Sequence, residues 1–209
     1  MSHKMEKKIK KVIGRDGRRP GGETELAFIE VATKLFAEKG YNGTSISDIS
    51  KKMNLTTASL YYHVTGKQQL LLRVLENTIF EFLDQLEVIS KQNNDPKIKL
   101  RAAIESHLYF VLNRTDAITV FVKDRGFLEQ PYKQQYQTRV ERYDLLFTTI
   151  IRECIEARSI PPGDPHLIRL AILGMMNWCM EWYEPGGRLN SDEITKFFSD
   201  MITERMLAT

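Results

Sequence analysis

The strongest constraint in the sequence is a pair of short helix signals separated by a tight turn. Ser45 and Asp48 have the spacing of a helix N-cap and its reciprocal partner, and apolar residues then recur on one face of two helical turns. Asn54 follows, a residue that tolerates the left-handed backbone conformation. Thr56 provides a second N-cap for a helix that extends to His63. Two short helices joined in this way predict a helix-turn-helix.

Helical periodicity extends over the rest of the chain. Apolar residues recur every three or four positions before this motif and again in the long segment that begins at Lys67. Runs rich in Pro and Gly at 161–165 and 184–187 interrupt the later helices. No segment shows the alternation that is typical of a strand. We therefore predict an all-α fold of nine helices, bounded to within about three residues, at 23–38, 45–53, 57–63, 67–86, 96–112, 116–123, 131–157, 165–183 and 192–207, with Ser191 as the last N-cap.

Several protein classes are excluded by composition. The longest apolar run, Leu170–Met180, is interrupted by Asn177, and no apolar segment follows the charged N-terminus. We therefore expect neither a membrane span nor a secretory signal, and a cytoplasmic location. Cys154 and Cys179 form no CxxC pair, so we expect reduced, buried thiols. The four histidines lack partners at metal-ligand spacing, so we expect no metal and no cofactor.

Positive charge is concentrated at the N-terminus. The formal net charge of the 209 residues is +3, but residues 1–20 carry eight Lys and Arg against two acids, a charge of +6, and the remainder is −3. Gly and Pro residues disfavour helix in the second half of this arm. A flexible basic arm at 1–22, with Arg18 and Arg19, can bind DNA phosphates or enter a minor groove. The alternative is a solvated tail that only aids solubility.

Residue types in the helix-turn-helix suit DNA contact. Thr57, Ala58 and Ser59 are small enough to let the second short helix approach base edges. The aromatic residues that follow have polar tips, which can reach phosphate oxygens. The segment 23–70 is itself neutral, with five Lys or Arg and five acids, so attraction to DNA must come from local charge placement, dimerisation and the arm. The candidate DNA-contact residues are Ser45, Ser47, Thr56, Thr57, Ala58, Ser59, Tyr61, Tyr62, His63 and Lys67, with Arg18 and Arg19 in the arm.

Three segments of this region carry a specific resemblance. Phe36–Tyr41, Thr44–Ile49 and Leu60–Val64, followed by Lys67, resemble the DNA-binding domain of the TetR family of bacterial transcriptional regulators, without gaps over about 23–72. Asn54 stands where glycine is commonest in the family, and Val64 where phenylalanine is common. Neither departure removes a contact group. In the family the equivalents of the candidate residues in this matched segment contact DNA, so the resemblance implies the same role for them here.

The resemblance implies a two-domain homodimer. Residues 23–70 would form the helix-turn-helix domain, and 71–209 a ligand-binding and dimerisation domain. The predicted helix 165–183 is apolar on nearly every side, and the last helix carries an apolar stripe, so the two can build a four-helix interface between subunits. Such a dimer would bind a palindromic operator in double-stranded DNA and be released by a small-molecule effector. A repressor is the expectation, and an activator stays open.

The effector site is implied less directly. Aromatic residues in the central helices can line a cavity or simply fill a core. The segment Trp182-Tyr-x-Pro-Gly-Gly-Arg-Leu, at the end of the eighth predicted helix, resembles a TetR subgroup that includes regulators of lipid and acyl-CoA catabolism. This resemblance implies an acyl-CoA or fatty-acid-like effector. The alternative is a drug-like effector and control of efflux. The candidate effector-site residues are Phe110, Phe121, Arg125, Phe127, Tyr143, Phe147, Trp178 and Trp182.

Two rival classes remain. A small-molecule enzyme is disfavoured because the sequence contains no GxSxG, GxxxxGK, GxGxxG or HExxH motif. The second rival is a helical adaptor that binds protein rather than DNA. A separate alternative for the motif itself is a helical hairpin within a core, with the tyrosines as packing residues. Tyr61, Tyr62 and His63 are consecutive and cannot all face inward on one helix, which favours the DNA-binding interpretation.

Overall fold

The computed structural model describes the backbone of residues 21–206 and the side chains of residues 26–206. The predicted arm contacts Arg18 and Arg19 lie outside the described residues. Residues 21–206 form nine α-helices and no strand, which confirms the predicted all-α fold. The helices are α1 (Gly21–Lys39), α2 (Ile46–Lys52), α3 (Thr57–Tyr61), α4 (Lys67–Lys91), α5 (Pro96–Asn113), α6 (Thr115–Lys123), α7 (Tyr132–Glu156), α8 (Pro165–Trp182) and α9 (Ser191–Asp200), with a 3₁₀ helix at Arg125–Phe127 and a π-helical segment at Met201–Met206.

The chain divides into two compact units. The N-terminal unit extends to Leu75 and also includes Thr119–Tyr132. The C-terminal unit consists of Glu76–Ile118 and Lys133–Thr209. The boundaries therefore fall within α4, within α6 and after the first residue of α7. The sequence-based division after residue 70 stays a prediction.

Short-range hydrogen bonds shape the first half of the N-terminal unit. α1 buries Phe28, Ala32 and Phe36 and ends where Gly40 adopts a φ of 74°, a conformation that glycine accepts without steric cost. The buried Thr44 hydroxyl donates to the carbonyl oxygens of Leu35, at 3.1 Å, and Gly40, at 3.0 Å. α2 packs against both α1 and α3. The turn after α1 is thereby held next to the start of α2.

The C-terminal unit is built around α5, which packs against α8 and α9. Leu100, Ile104 and Leu108 of α5 are fully buried. Arg101 lies on the same helix and forms ion pairs with Asp200 and, at 2.8 Å, with Glu204. One guanidinium therefore joins α5 to the end of α9 and to the π-helical segment.

The start of α9 differs from the sequence-based prediction. Asn190, not Ser191, is the N-cap: its side-chain oxygen accepts from the Glu193 backbone N–H, and the Glu193 carboxylate accepts from the Asn190 N–H, each at 2.9 Å. Asn is as good an N-cap as Ser, and only Asn190 has a glutamate three residues later to complete the box. Ser191 instead begins the helix, and Ile194 occupies its third following position.

The cysteines are buried free thiols, as predicted. Burial raises the pKa of Cys154 to about 12 and that of Cys179 to about 11, so both stay protonated at neutral pH. Among the described residues, no helix has the length and apolarity needed to cross a bilayer. The same part of the chain brings no three His, Cys, Asp or Glu side chains together as metal ligands.

Candidate nucleic-acid interface

A capping box begins α2. The Ser45 hydroxyl accepts from the Asp48 backbone N–H at 3.1 Å and donates to the Asp48 carboxylate at 2.6 Å. The same carboxylate accepts from the Ser45 N–H at 2.9 Å. These hydrogen bonds from Ser45 lower the pKa of Asp48, which stays ionised. The predicted cap is confirmed, and it keeps Ser45 at the exposed start of the helix.

The turn between α2 and α3 has the predicted conformation. Asn54 lies in the left-handed region, with a φ of 56°. Thr56 then caps α3 by accepting from the Ser59 N–H at 3.1 Å. The hydroxyl oxygens of Ser50 and Thr57 lie 3.3 Å apart and join the end of α2 to the start of α3. Both short helices are therefore fixed by contacts within a dozen residues of sequence.

One side of α3 is anchored and the other faces solvent. Leu60 is fully buried, whereas Ala58, Ser59 and Tyr61 are exposed. Tyr62 follows α3 and is 87% exposed, although it is a large aromatic residue. His63 is half-buried, and its ring lies 5.2 Å from that of Phe28 and 5.4 Å from that of Tyr62. The second short helix is thus available to a partner, as a DNA-reading helix must be.

Five candidate DNA-contact residues line one open cleft of about 490 Å³: Ser45, Ser47, Thr57, Tyr61 and Lys67. The cleft also includes Asn42, Gly43, Thr44, Ile46 and Asp48. A β-carbon added to Gly43 would overlap the Lys39 carbonyl oxygen, so this wall tolerates no side chain. Sequence reasoning missed Asn42 and Gly43. In the sequence, the only feature that could have indicated these two residues is their position in the turn just before the N-cap Ser45.

Lys67 is fixed by a partner that lies far away in sequence. Its ammonium nitrogen lies 4.1 Å from the centre of the Tyr41 ring, in a cation–π contact. Tyr41 in turn stacks on Phe127, with ring centres 5.5 Å apart. Burial lowers the pKa of Lys67, while the charge of Asp124 opposes that shift. Lys67 is thus linked through the Tyr41 ring to Phe127, in the segment Thr119–Tyr132.

The eight candidate effector-site residues fall in different units. Phe121, Arg125 and Phe127 belong to the N-terminal unit, where the Arg125 guanidinium lies 5.5 Å from the Phe121 ring. The other five belong to the C-terminal unit: Phe110, Tyr143, Phe147, Trp178 and Trp182. Trp178, on α8, is 66% exposed. Their joint role as effector contacts stays a prediction.

An aromatic cluster in the C-terminal unit includes a histidine that sequence reasoning missed. Phe82, His107, Tyr143 and Phe147 have neighbouring ring centres 4.9–6.0 Å apart. His107 forms hydrogen bonds through both ring nitrogens, at 2.8 Å with the Tyr143 hydroxyl and at 2.9 Å with the Asn177 side-chain oxygen. Because Asn177 offers an acceptor, His107 donates from Nε2 and accepts the tyrosine proton at Nδ1. Burial lowers the His107 pKa to about 4, so the ring is neutral.

The segment after α8 forms a tight turn beside a small cleft. The Gly187 N–H donates to the Glu184 carbonyl at 2.9 Å, and Gly186 has a φ of 85°, as the third residue of a type II turn requires. Trp182, Tyr183 and Arg188 line a cleft of about 210 Å³ together with Glu184, Gly187, Leu189 and Ile194. The motif that suggested an acyl-CoA effector therefore surrounds one concavity.

Comparison with known proteins matches both the helix-turn-helix region and the C-terminal region of the chain to described families. Residues 28–74 match the family "Bacterial regulatory proteins, tetR family", and residues 93–206 match "Tetracyclin repressor-like, C-terminal domain". The chain belongs to the TetR family. As a TetR-family transcriptional regulator, it has a helix-turn-helix that binds DNA, and its matched relatives are regulators rather than enzymes.

Individual TetR relatives match to different extents. The negative regulator IcaR of the icaADBC biofilm operon in Staphylococcus epidermidis is 47% identical over 59 residues, 28% of this chain and 32% of that protein. The chain thus spans about a third of that relative. The repressor KstR2 of Mycolicibacterium smegmatis is 22% identical over 80% of this chain and 82% of its own. AibR, in complex with isovaleryl coenzyme A and operator DNA, has a TM-score of 0.79 at 24% identity, covering 86% of this chain and 97% of AibR.

Proposed function

We propose that this protein is a ligand-responsive repressor that binds a palindromic operator as a homodimer. The proposal rests on one observation: α3 presents an exposed face beside a cleft lined by five of the candidate contact residues. A helix held by Leu60 on one side and open on the other can enter a major groove without unfolding the unit around it.

Different parts of this face have different roles. The side chains of Thr57, Ala58 and Ser59 contact base edges, because they are short and lie at the N-terminal end of α3. Tyr61, Tyr62, His63 and Lys67 contact phosphates, as do the Ser45 and Ser47 hydroxyls. The arm residues Arg18 and Arg19 add sequence-independent attraction.

Exposed apolar residues of the C-terminal unit support the proposed dimer. Leu167, Leu170 and Trp178 of α8 and Phe197 of α9 are large apolar residues, and all four are exposed. Large exposed apolar residues concentrated on two helices favour a subunit interface. Two copies joined there would bind half-sites one duplex turn, roughly 34–36 Å, apart.

The effector is an acyl-CoA or a fatty-acid-like molecule that binds the C-terminal unit. The aromatic cluster around Tyr143 supplies apolar contacts, and the cleft with Trp182 and Arg188 offers aromatic and cationic groups to a phosphorylated head group. AibR, which has the same fold, binds isovaleryl coenzyme A and operator DNA. By linkage, the effector lowers operator affinity by the same factor by which the operator lowers effector affinity.

Selection of bound duplexes from a random pool tests the proposal. We expect enrichment of an inverted repeat with half-site centres about 10 base pairs apart. Palmitoyl-CoA or isovaleryl-CoA should then release the selected duplex, with free coenzyme A as the control. Release by drug-like cations but not by thioesters would support the efflux alternative. A pool that stays unenriched would refute the DNA-binding proposal itself.

A further inference from the structure

A buried serine lies behind the N-terminal end of α3. Ser50, near the C-terminal end of α2, is only 1% exposed. Its hydroxyl oxygen lies 3.0 Å from the Ser47 carbonyl oxygen and 3.3 Å from the Thr57 hydroxyl oxygen. Ser50 is enclosed and cannot reach DNA, whereas Thr57 is half-buried and lines the open cleft. An effect of Ser50 on base recognition would therefore act through Thr57.

The two contacts of Ser50 together fix the direction of the hydrogen bond with Thr57. A serine hydroxyl has one proton and two lone pairs, whereas a backbone carbonyl only accepts. The contact with the Ser47 carbonyl is therefore a hydrogen bond only if Ser50 donates. Because that proton is then committed, the Thr57 hydroxyl donates in the other contact and Ser50 accepts. This arrangement satisfies both contacts at once.

The direction of this hydrogen bond limits what Thr57 can offer to DNA. With its proton directed at Ser50, the Thr57 hydroxyl keeps only lone pairs for an outside partner. In the major groove the exocyclic amines of adenine and cytosine donate, whereas the N7 and O6 atoms of guanine and the O4 atom of thymine accept. A hydroxyl that only accepts can bind an amine but not those acceptors. A freely rotating hydroxyl could bind either kind of group and would discriminate less between them.

We infer that Ser50 is a positioning residue for base recognition, which orients the Thr57 hydroxyl so that it accepts a hydrogen bond from the exocyclic amine of an adenine or cytosine. This inference rests on the proposed DNA-binding function and assigns a base chemistry to one side chain of α3. Thr57 is the first residue of α3, the end at which a reading helix approaches base edges. Adenine and cytosine share the amine, and the sequence of the selected duplex distinguishes them.

The first step of the experiment locates the base pair that Thr57 contacts. Full-length wild type and Thr57→Val are each used to select duplexes from a random pool. Valine has the shape of threonine and keeps a methyl group, so this variant removes the hydroxyl without removing a contact to a thymine methyl. The base pair whose preference differs between the two proteins is the one that the hydroxyl recognises.

The second step removes the amine from that base pair. The wild-type duplex is remade with purine in place of adenine, or 2-pyrimidinone in place of cytosine, and both duplexes are titrated with wild type, Ser50→Ala, Thr57→Val and the double variant. Thr57→Val also controls for any change in the duplex itself. Ser90→Ala is the matched control, because Ser90 likewise donates to the carbonyl three residues earlier but lies in the C-terminal unit.

We expect loss of the amine to weaken wild-type binding about tenfold, as loss of a specific base contact does. Thr57→Val should bind both duplexes equally. Ser50→Ala should discriminate less than about threefold, because the freed hydroxyl can turn its proton towards an acceptor of the same base pair. The double variant should match Thr57→Val, since Ser50 acts through Thr57. Ser90→Ala should keep the full discrimination.

This measurement separates orientation of the hydroxyl from folding. A loosened contact between α2 and α3 would weaken recognition of every base pair in the half-site, whereas a misoriented hydroxyl affects one. Melting temperatures of Ser50→Ala and Ser90→Ala, followed by circular dichroism, should both match the wild type. Should Ser50→Ala unfold, Ser50→Cys takes its place, because a thiol is a similar group that accepts hydrogen bonds weakly.

Three results would overturn the inference while the proposed function stands, since the wild type would still select a duplex. They are full discrimination in the Ser50 variant, equal wild-type binding with and without the amine, and no base pair altered in Thr57→Val. Failure of the wild type to select any duplex would overturn the proposed function and the inference with it.

Discussion

At the residue scale, two side chains occupy environments that are unusual for their chemistry. Tyr62 is 87% exposed although an aromatic ring gains free energy by burial. His107 shows the opposite case, a titratable ring enclosed by aromatic groups and held by two hydrogen bonds. Removal of the Tyr62 ring should cost the fold little stability, whereas the His107 ring is part of the core.

Replacement of Tyr62 by alanine should weaken binding of the selected duplex about tenfold and leave the melting temperature unchanged. The ring is free to reach a phosphate but contributes little packing. An electrophoretic mobility shift titration measures the affinity, and circular dichroism measures the stability. Tyr109→Ala, at another exposed tyrosine in the C-terminal unit, is the control and should bind normally. Equal binding by both variants would contradict the assignment of α3.

His107 should make the protein less stable as the pH falls from about 6.5 to about 4. Its folded-state pKa of about 4 lies below the ordinary value of 6.5, so the unfolded chain binds the proton first in that window. The loss should be on the order of 3 kcal/mol. Urea unfolding of the wild type and of His107→Gln at several pH values isolates this contribution, since other groups titrate equally in both. Parallel curves would show that His107 has no such role.

At the element scale, the short helices depend on their caps rather than on length. α2 has seven residues and α3 has five, which is too few for either to be stable alone. The Ser45 and Thr56 caps satisfy backbone donors, and the left-handed Asn54 redirects the chain between the two helices. A capping box like that of Ser45 and Asp48 also begins α9, where Asn190 is the cap and Glu193 the reciprocal partner.

The cap of α9 gives a direct test of that assignment. Asn190→Ala should lower the free energy of unfolding by about 1 kcal/mol, because the Glu193 N–H loses its acceptor. Ser191→Ala, one residue later, should have almost no effect, since Ser191 is already within the helix. Equilibrium urea unfolding compares the two. A larger loss at Ser191 than at Asn190 would restore the sequence-based prediction.

Local features of the fold could be predicted from sequence, and long-range contacts could not. Ser45 with Asp48 and Thr56 with Ser59 are three residues apart, so their hydrogen bonds follow from spacing alone. The contact of Phe127 with Tyr41 joins residues that no periodicity relates. For this reason the packing of Phe127 on Tyr41 could not be predicted from the sequence, and the role of Phe127 as an effector contact stays a prediction.

At the scale of the whole molecule, the proposed homodimer would couple subunit association to operator binding through symmetry. A single helix-turn-helix contacts half of a palindromic site, so most of the operator affinity is lost if the two copies separate. The surface that would hold them includes Trp178, which is 66% exposed in the single chain.

Trp178→Glu should therefore yield a monomer with operator affinity reduced at least a hundredfold. A buried glutamate without a partner opposes association. Sedimentation velocity gives the mass of the particle, and the shift titration gives the affinity. Val88→Glu, at an exposed apolar position on α4, is the matched control and should remain dimeric. A Trp178→Glu dimer with normal affinity would place the subunit interface elsewhere.

The close approach of Gly43 to the Lys39 carbonyl has a practical consequence for engineering. Substitution there would shift the wall of the cleft whatever DNA is bound, so every replacement, alanine included, would damage binding to all sequences alike. Ala58 and Ser59 are exposed and leave the backbone unchanged when they vary. A combinatorial library for altered operator preference can therefore randomise those two positions while codon 43 is kept as glycine.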